Sequence, residues 1–81
     1  MKKTIEVRFI THGKRATVFY KAEWSALNHG ASWVLETNAG THIRDGFASS
    51  EANAAETVLG VASRHAWGSY RVKAVSARFI D

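Results

Sequence analysis

Residues 49–68 read Ser-Ser-Glu-Ala-Asn-Ala-Ala-Glu-Thr-Val-Leu-Gly-Val-Ala-Ser-Arg-His-Ala-Trp-Gly. This stretch decides the fold, because it is where the hydrophobic period changes from two to helical. Ser50 is a natural helix N-cap, and Glu51 places an acid in the first turn, where the helix dipole favours it. Ala55, Val58, Leu59, Ala62 and Ala66 recur at spacings of three and four, which makes one apolar stripe. The stripe is narrow and alanine-rich, so the helix can approach a sheet closely. Gly60 costs a helix interior roughly 1 kcal/mol relative to alanine; a close helix–sheet approach is the expected reason for it. Gly68 supplies the stop.

Outside this stretch the pattern is that of strands. On the N-terminal side, Ile5, Val7 and Phe9 alternate with Glu6 and Arg8, and Ile10 extends the run. His12-Gly13-Lys14 is a turn signal. Ala16, Val18, Tyr20, Ala22 and Trp24 then share one face, with Thr17, Phe19, Lys21 and Glu23 on the other, so the first two strands form a hairpin. Residues 25–30 read as a loop broken at Asn28-His29-Gly30. Ala31, Trp33 and Leu35 begin a third strand, and Asn38-Ala39-Gly40 is a turn. Residues 41–48 are a weaker fourth strand, with Gly46 at a bulge or at its end. After the helix, residues 70–80 form a long last strand whose apolar phase shifts. Tyr70, Val72 and Ala74 sit on even positions, and Val75, Ala77 and Phe79 on odd ones. A bulge near Ala74-Val75, or a face that changes cover, reconciles the two sets.

The order ββββαβ predicts an α+β domain: an antiparallel sheet of four to five strands with one helix packed on one face. Residues 1–81 read as a single domain. Thirteen of the 37 hydrophobic residues are alanine, which leaves 24 bulkier ones to build the core. Tyr20, Trp24, Trp33 and Tyr70 fall on the face assigned to it. The chain has no cysteine, which excludes disulfides, thiolate chemistry and sulfur-ligated zinc. Met1-Lys2-Lys3 resembles the start of a signal peptide. The alternating, charged residues that follow lack the required apolar run of about 7–15 residues, and no run approaches a membrane span of about 20. The expectation is a soluble, cytoplasmic protein with no membrane partner.

Motifs for catalysis are missing. The six glycines are scattered, so there is no phosphate loop. His12, His29, His42 and His65 show no ligand spacing, and no metal or other cofactor is expected. His65, near the helix C-terminus, suits the macrodipole. The seven acids alternate with apolar residues, lie on a polar helix face or end the chain. The reading is therefore not an enzyme.

Charge is more informative. The formal net charge is +4, and it divides unevenly: residues 1–22 carry +5, 23–48 carry −2, 49–67 carry −1 and 68–81 carry +2. If the first hairpin and last strand are neighbours, one side of the molecule is basic. Arg8, Phe19, Lys21, Val34, Arg71 and Lys73 are expected on the sheet face away from the helix. Cations that neutralise phosphates, interleaved with a ring that stacks on bases, suit a nucleic-acid-binding sheet. Lys14 and Arg15 extend that basic side, and Trp67 at the helix end is a candidate interface anchor. A long last strand at a sheet edge is also compatible with a homodimer.

One resemblance adds to this. An alanine-rich helix over residues 52–66 leads through Trp67-Gly68-Ser69-Tyr70 into a final strand, after an N-terminal hairpin. In size and layout, mainly over residues 49–80, the chain resembles the small anti-CRISPR proteins encoded by phages and other mobile elements. That group has no common signature, so no functional residue is carried over. The resemblance implies a non-catalytic inhibitor that binds a host protein or nucleoprotein complex, such as a CRISPR effector. Many of those proteins are acidic DNA mimics, and the positive charge of this chain does not fit DNA mimicry. The alternative is a small basic protein that binds nucleic acid directly through its sheet face.

Overall fold

The computed structural model describes residues 2–68 and 71–81. It contains β1 (Lys2–Thr11), β2 (Lys14–Leu27), β3 (Gly30–Thr37), β4 (His42–Ala48), α1 (Glu51–Trp67) and β5 (Val72–Phe79). The five strands form one sheet in the order β4-β3-β2-β1-β5, and every neighbouring pair is antiparallel. The α+β expectation holds. α1 connects the two edge strands, so it crosses the sheet and covers one face. The other face stays open.

Alternation sets the two faces. Ile5, Val7, Tyr20, Ala22, Trp33 and Leu35 pair across the strands and are buried against Ala54, Val58, Val61 and Ala62 of the helix. Ile5, Val7, Leu35 and Val58 have no exposed surface, and each such burial stabilises by roughly 1.5–3 kcal/mol. Trp24 is half-buried at the margin, tilted against Phe79 with ring centroids 5.3 Å apart. The Lys3 ammonium lies 5.6 Å from the Trp24 ring centroid. Tyr70 lies outside the described residues, so its expected core position has no counterpart here.

The helix ends as its sequence dictates. The Ser50 hydroxyl accepts from the Asn53 amide at 3.2 Å, and the Gly68 amide donates to the Arg64 carbonyl at 3.0 Å. The buried stripe is rotated slightly from the expected one. Ala54 and Val61 join Val58 and Ala62 inside, while Ala55, Leu59 and Ala66 are half-buried. Gly60 does not mark a close helix–sheet approach. A Cβ there would meet only the Arg64 guanidinium of its own helix, at 3.9 Å. The close approach belongs instead to Gly46, where a Cβ would stand 2.9 Å from the Trp33 indole. Gly46 is thus neither a bulge nor a strand end. It leaves room for a tryptophan across the neighbouring backbone.

Two further expectations change. Residues 25–27 are not loop: Ser25, Ala26 and Leu27 pair with Ser32, Ala31 and Gly30. The alternation that places Trp24 opposite Trp33 simply continues, and only Asn28 and His29 turn the chain. The bulge falls close to its expected place. Ile10 pairs with Ala74 but Thr11 with Val72, so Lys73 is the extra residue. That shift brings Val72 and Val75 to the covered face together. The first turn has positive φ at both His12 and Gly13, the backbone of a tight two-residue hairpin. β3 pairs with residues 20–27 of β2, so the first hairpin runs past it. The molecule measures 45 × 22 × 21 Å.

Candidate polyanion-binding end

Register determines which cations meet. β1 pairs with β2 on one side and with β5 on the other. This brings residues 8–17 beside residues 71–76. Those two segments hold Arg8, Lys14, Arg15, Arg71 and Lys73 and no acid, a charge of +5. The other six Lys and Arg stand against all seven acids, a charge of −1. The hairpin end is therefore basic, and the rest of the molecule is close to neutral.

The open face carries Arg8, Phe19, Lys21 and Val34, as expected from alternation. Arg71 and Lys73 do not follow. Arg71 precedes β5, and its carbonyl accepts from the Thr11 hydroxyl at 2.9 Å. Lys73 occupies the register shift. The cation that β5 places on the open face is Arg78, in register with Glu6. Phe19 and Lys21 lie farther along β2, outside the basic end, and the Lys21 ammonium donates to the Thr4 hydroxyl at 3.1 Å. Trp67 is half-buried on α1, over the covered face. Of the eight expected binding residues, five gather at the hairpin end: Arg8, Lys14, Arg15, Arg71 and Lys73.

A groove of about 370 Å³ lies there, lined by Arg8, Arg15, Thr17 and Ser76 together with apolar residues that include Ile10 and Ala74. Arg15 is in register with Ile10, and Arg8 with Thr17 and Ser76. Arg8 also serves the sheet: its Nε is 2.8 Å from Glu6 Oε1, and Arg78 Nε is 3.1 Å from the same oxygen. Glu6 is only 8% exposed although it lies on the open face. Burial pushes its carboxyl up, but hydrogen bonds from Arg78 and Arg8 outweigh this and hold it below the ordinary carboxylate value. Lys14, Arg15, Arg71 and Lys73 have no acidic partner among the described residues.

The other half of the open face is a mosaic. Lys2 pairs with Glu36 at 2.7 Å, which raises the Lys2 ammonium above its ordinary value. His42 Nε2 lies 3.5 Å from Asp45. Phe19, Val34 and Phe47 are exposed among these charges, Phe47 at 79%. Sequence reasoning misses Phe47 as a surface aromatic; its place near the end of an edge strand, on the open side of the alternation, is the signal for it.

Among the described residues, no three His, Asp or Glu side chains gather as a metal site, and no helix is long and apolar enough to cross a membrane. The fold and this end define a class: a helix-on-sheet α+β protein with a polarised cationic surface. Comparison with family models, with curated proteins and with solved structures returned no match.

Proposed function

We propose that this protein is a non-catalytic binding protein that engages a host nucleoprotein complex, as the phage-encoded inhibitors it resembles in layout do. The basic hairpin end contacts nucleic-acid phosphates, and the mosaic open face contacts protein. The observation that carries this reading is the separation of charge: four cations without acidic partners at one end, and paired charges with exposed Phe19, Val34 and Phe47 beyond it. Unpaired Lys and Arg suit a phosphate backbone. A surface of mixed charge with exposed aromatics suits a protein interface.

Direct binding of free nucleic acid is the second reading, favoured by the same basic end. Capture of the tagged protein from bacterial lysate, with and without nuclease, separates the two. The inhibitor reading predicts a stoichiometric protein complex that survives nuclease and is weakened by Phe47→Ala. Recovery lost entirely on nuclease treatment, with Phe47→Ala unchanged, would replace it with direct nucleic-acid binding.

A further inference from the structure

A second depression, of about 390 Å³, opens between the edge strand β4 and the C-terminal half of α1, lined by Ile43, Arg44, Val61, Arg64 and His65. It is separate from the hairpin end. Arg44 is in register with Leu35 and so sits on the helix side of β4. Neither guanidinium has an acidic partner among the described residues; Arg64 Nε reaches only the Gly60 carbonyl of its own helix, at 3.5 Å. No acid lines the depression.

The third group is His65, whose Nδ1 lies 2.9 Å from the Tyr20 hydroxyl. Tyr20 is 2% exposed, and burial pushes its phenol up, so the hydroxyl keeps its proton and can donate it to Nδ1. When the hydroxyl donates to Nδ1, the ring proton is on Nε2, which is then a donor; in a doubly protonated ring Nε2 is a donor as well. Cations in a last helical turn answer the helix dipole, and that accounts for Arg64 and His65. It does not account for Arg44, which arrives from the sheet.

We propose that this depression binds a phosphomonoester of nucleoside-monophosphate size. The phosphate is held by Arg44, Arg64 and His65, and the organic group lies over Ile43 and Val61. Guanidinium forks match phosphate oxygens in pairs. A depression of this volume holds more than a bare phosphate, and its two aliphatic walls provide contact for a flat or sugar-like body.

Two-dimensional NMR titration at constant ionic strength tests this, with inorganic phosphate, adenosine and adenosine 5′-monophosphate as probes. The expected result is saturable shifts at Arg44, Arg64 and His65, with the nucleotide binding about tenfold or more tighter than phosphate or adenosine. Arg44→Gln and Arg64→Gln should each weaken it roughly tenfold, the size of one charged hydrogen bond; Lys3→Gln, at a cation that lies over Trp24 and lines neither site, should leave it unchanged. Both arginines are exposed, and retained dispersion of the amide spectrum shows that each variant folds. Shifts that never saturate would overturn the site. So would nucleotide binding unchanged by Arg44→Gln, or nucleotide binding no tighter than inorganic phosphate.

Discussion

The hairpin end and the β3–β4 end of this sheet are built from the same alternating pattern, yet they treat charge differently. At the β3–β4 end, Lys2 meets Glu36, and His42 meets Asp45. At the hairpin end, Lys14, Arg15, Arg71 and Lys73 have no acid to meet among the described residues. Arg8 alone of that end meets a carboxylate, the buried one of Glu6, which it shares with Arg78 farther along β5. Net charge is therefore a poor guide to a binding surface. What matters is which cations the strand register leaves without a partner, since exposed ion pairs contribute little to stability and unpaired cations remain free for an anionic partner.

Stability should divide the other way. The β3–β4 end carries Leu35 and Trp33 under the helix, so the largest effect is expected there. Leu35→Ala should lower the unfolding free energy by about 3 kcal/mol, from lost burial and the cavity left behind. Urea denaturation measures it; a loss under about 1 kcal/mol would mean that this end is not the packed one. Gly46→Ala should cost about 2 kcal/mol, because its methyl group meets the Trp33 indole and overpacks the core. Thermal unfolding reads this directly, and Trp33→Phe in the same background should recover part of the loss.

The third effect has the opposite sign. Gly60→Ala should stabilise by roughly 1 kcal/mol, since a Cβ there meets no atom of the sheet. A destabilised variant would restore the close helix–sheet approach that the sequence suggested. The smallest effect concerns Glu6. Its carboxyl is held below its ordinary value, so its contribution is present above the ordinary carboxylate range and is lost as pH falls through the lowered value. The stability gap between the wild type and Glu6→Gln should be widest near neutral pH and close in acid. Asp81, lowered chiefly by a hydrogen bond from the Thr4 amide, titrates in both proteins and leaves the difference intact. A gap independent of pH would remove Glu6 from the account.

The helix, its caps and the first hairpin are legible in the sequence, because each rests on local chemistry: Ser50 and Gly68 at the ends, a period that changes from two to helical, and a glycine turn. The irregularity of the last strand is legible too, in apolar residues that move from even to odd positions. Residues 25–27 are not, since serine and alanine mark loops as readily as strands, and the pairing of Trp24 with Trp33 that extends β2 is nonlocal. Gly46 and Gly60 look alike in a sequence; only the neighbouring strand distinguishes a glycine that makes room for an indole from one that does not. For the binding surface, the basic segments are visible as a charge sum. Arg78 opposite Glu6, and Arg44 beside Arg64 and His65, depend on β1–β5 register and on where the helix crosses, which no short-range pattern encodes.

Whether the hairpin end contacts phosphates, rather than the open face as a whole, is read from the salt dependence of binding to a labelled DNA duplex. Four to five phosphate contacts predict a log–log slope of about −4. Arg15→Glu with Lys73→Glu should flatten that slope by about 2, while Lys2→Glu with Lys21→Glu should leave it nearly unchanged. Equal flattening by the two pairs, or a wild-type slope near zero, would contradict the account.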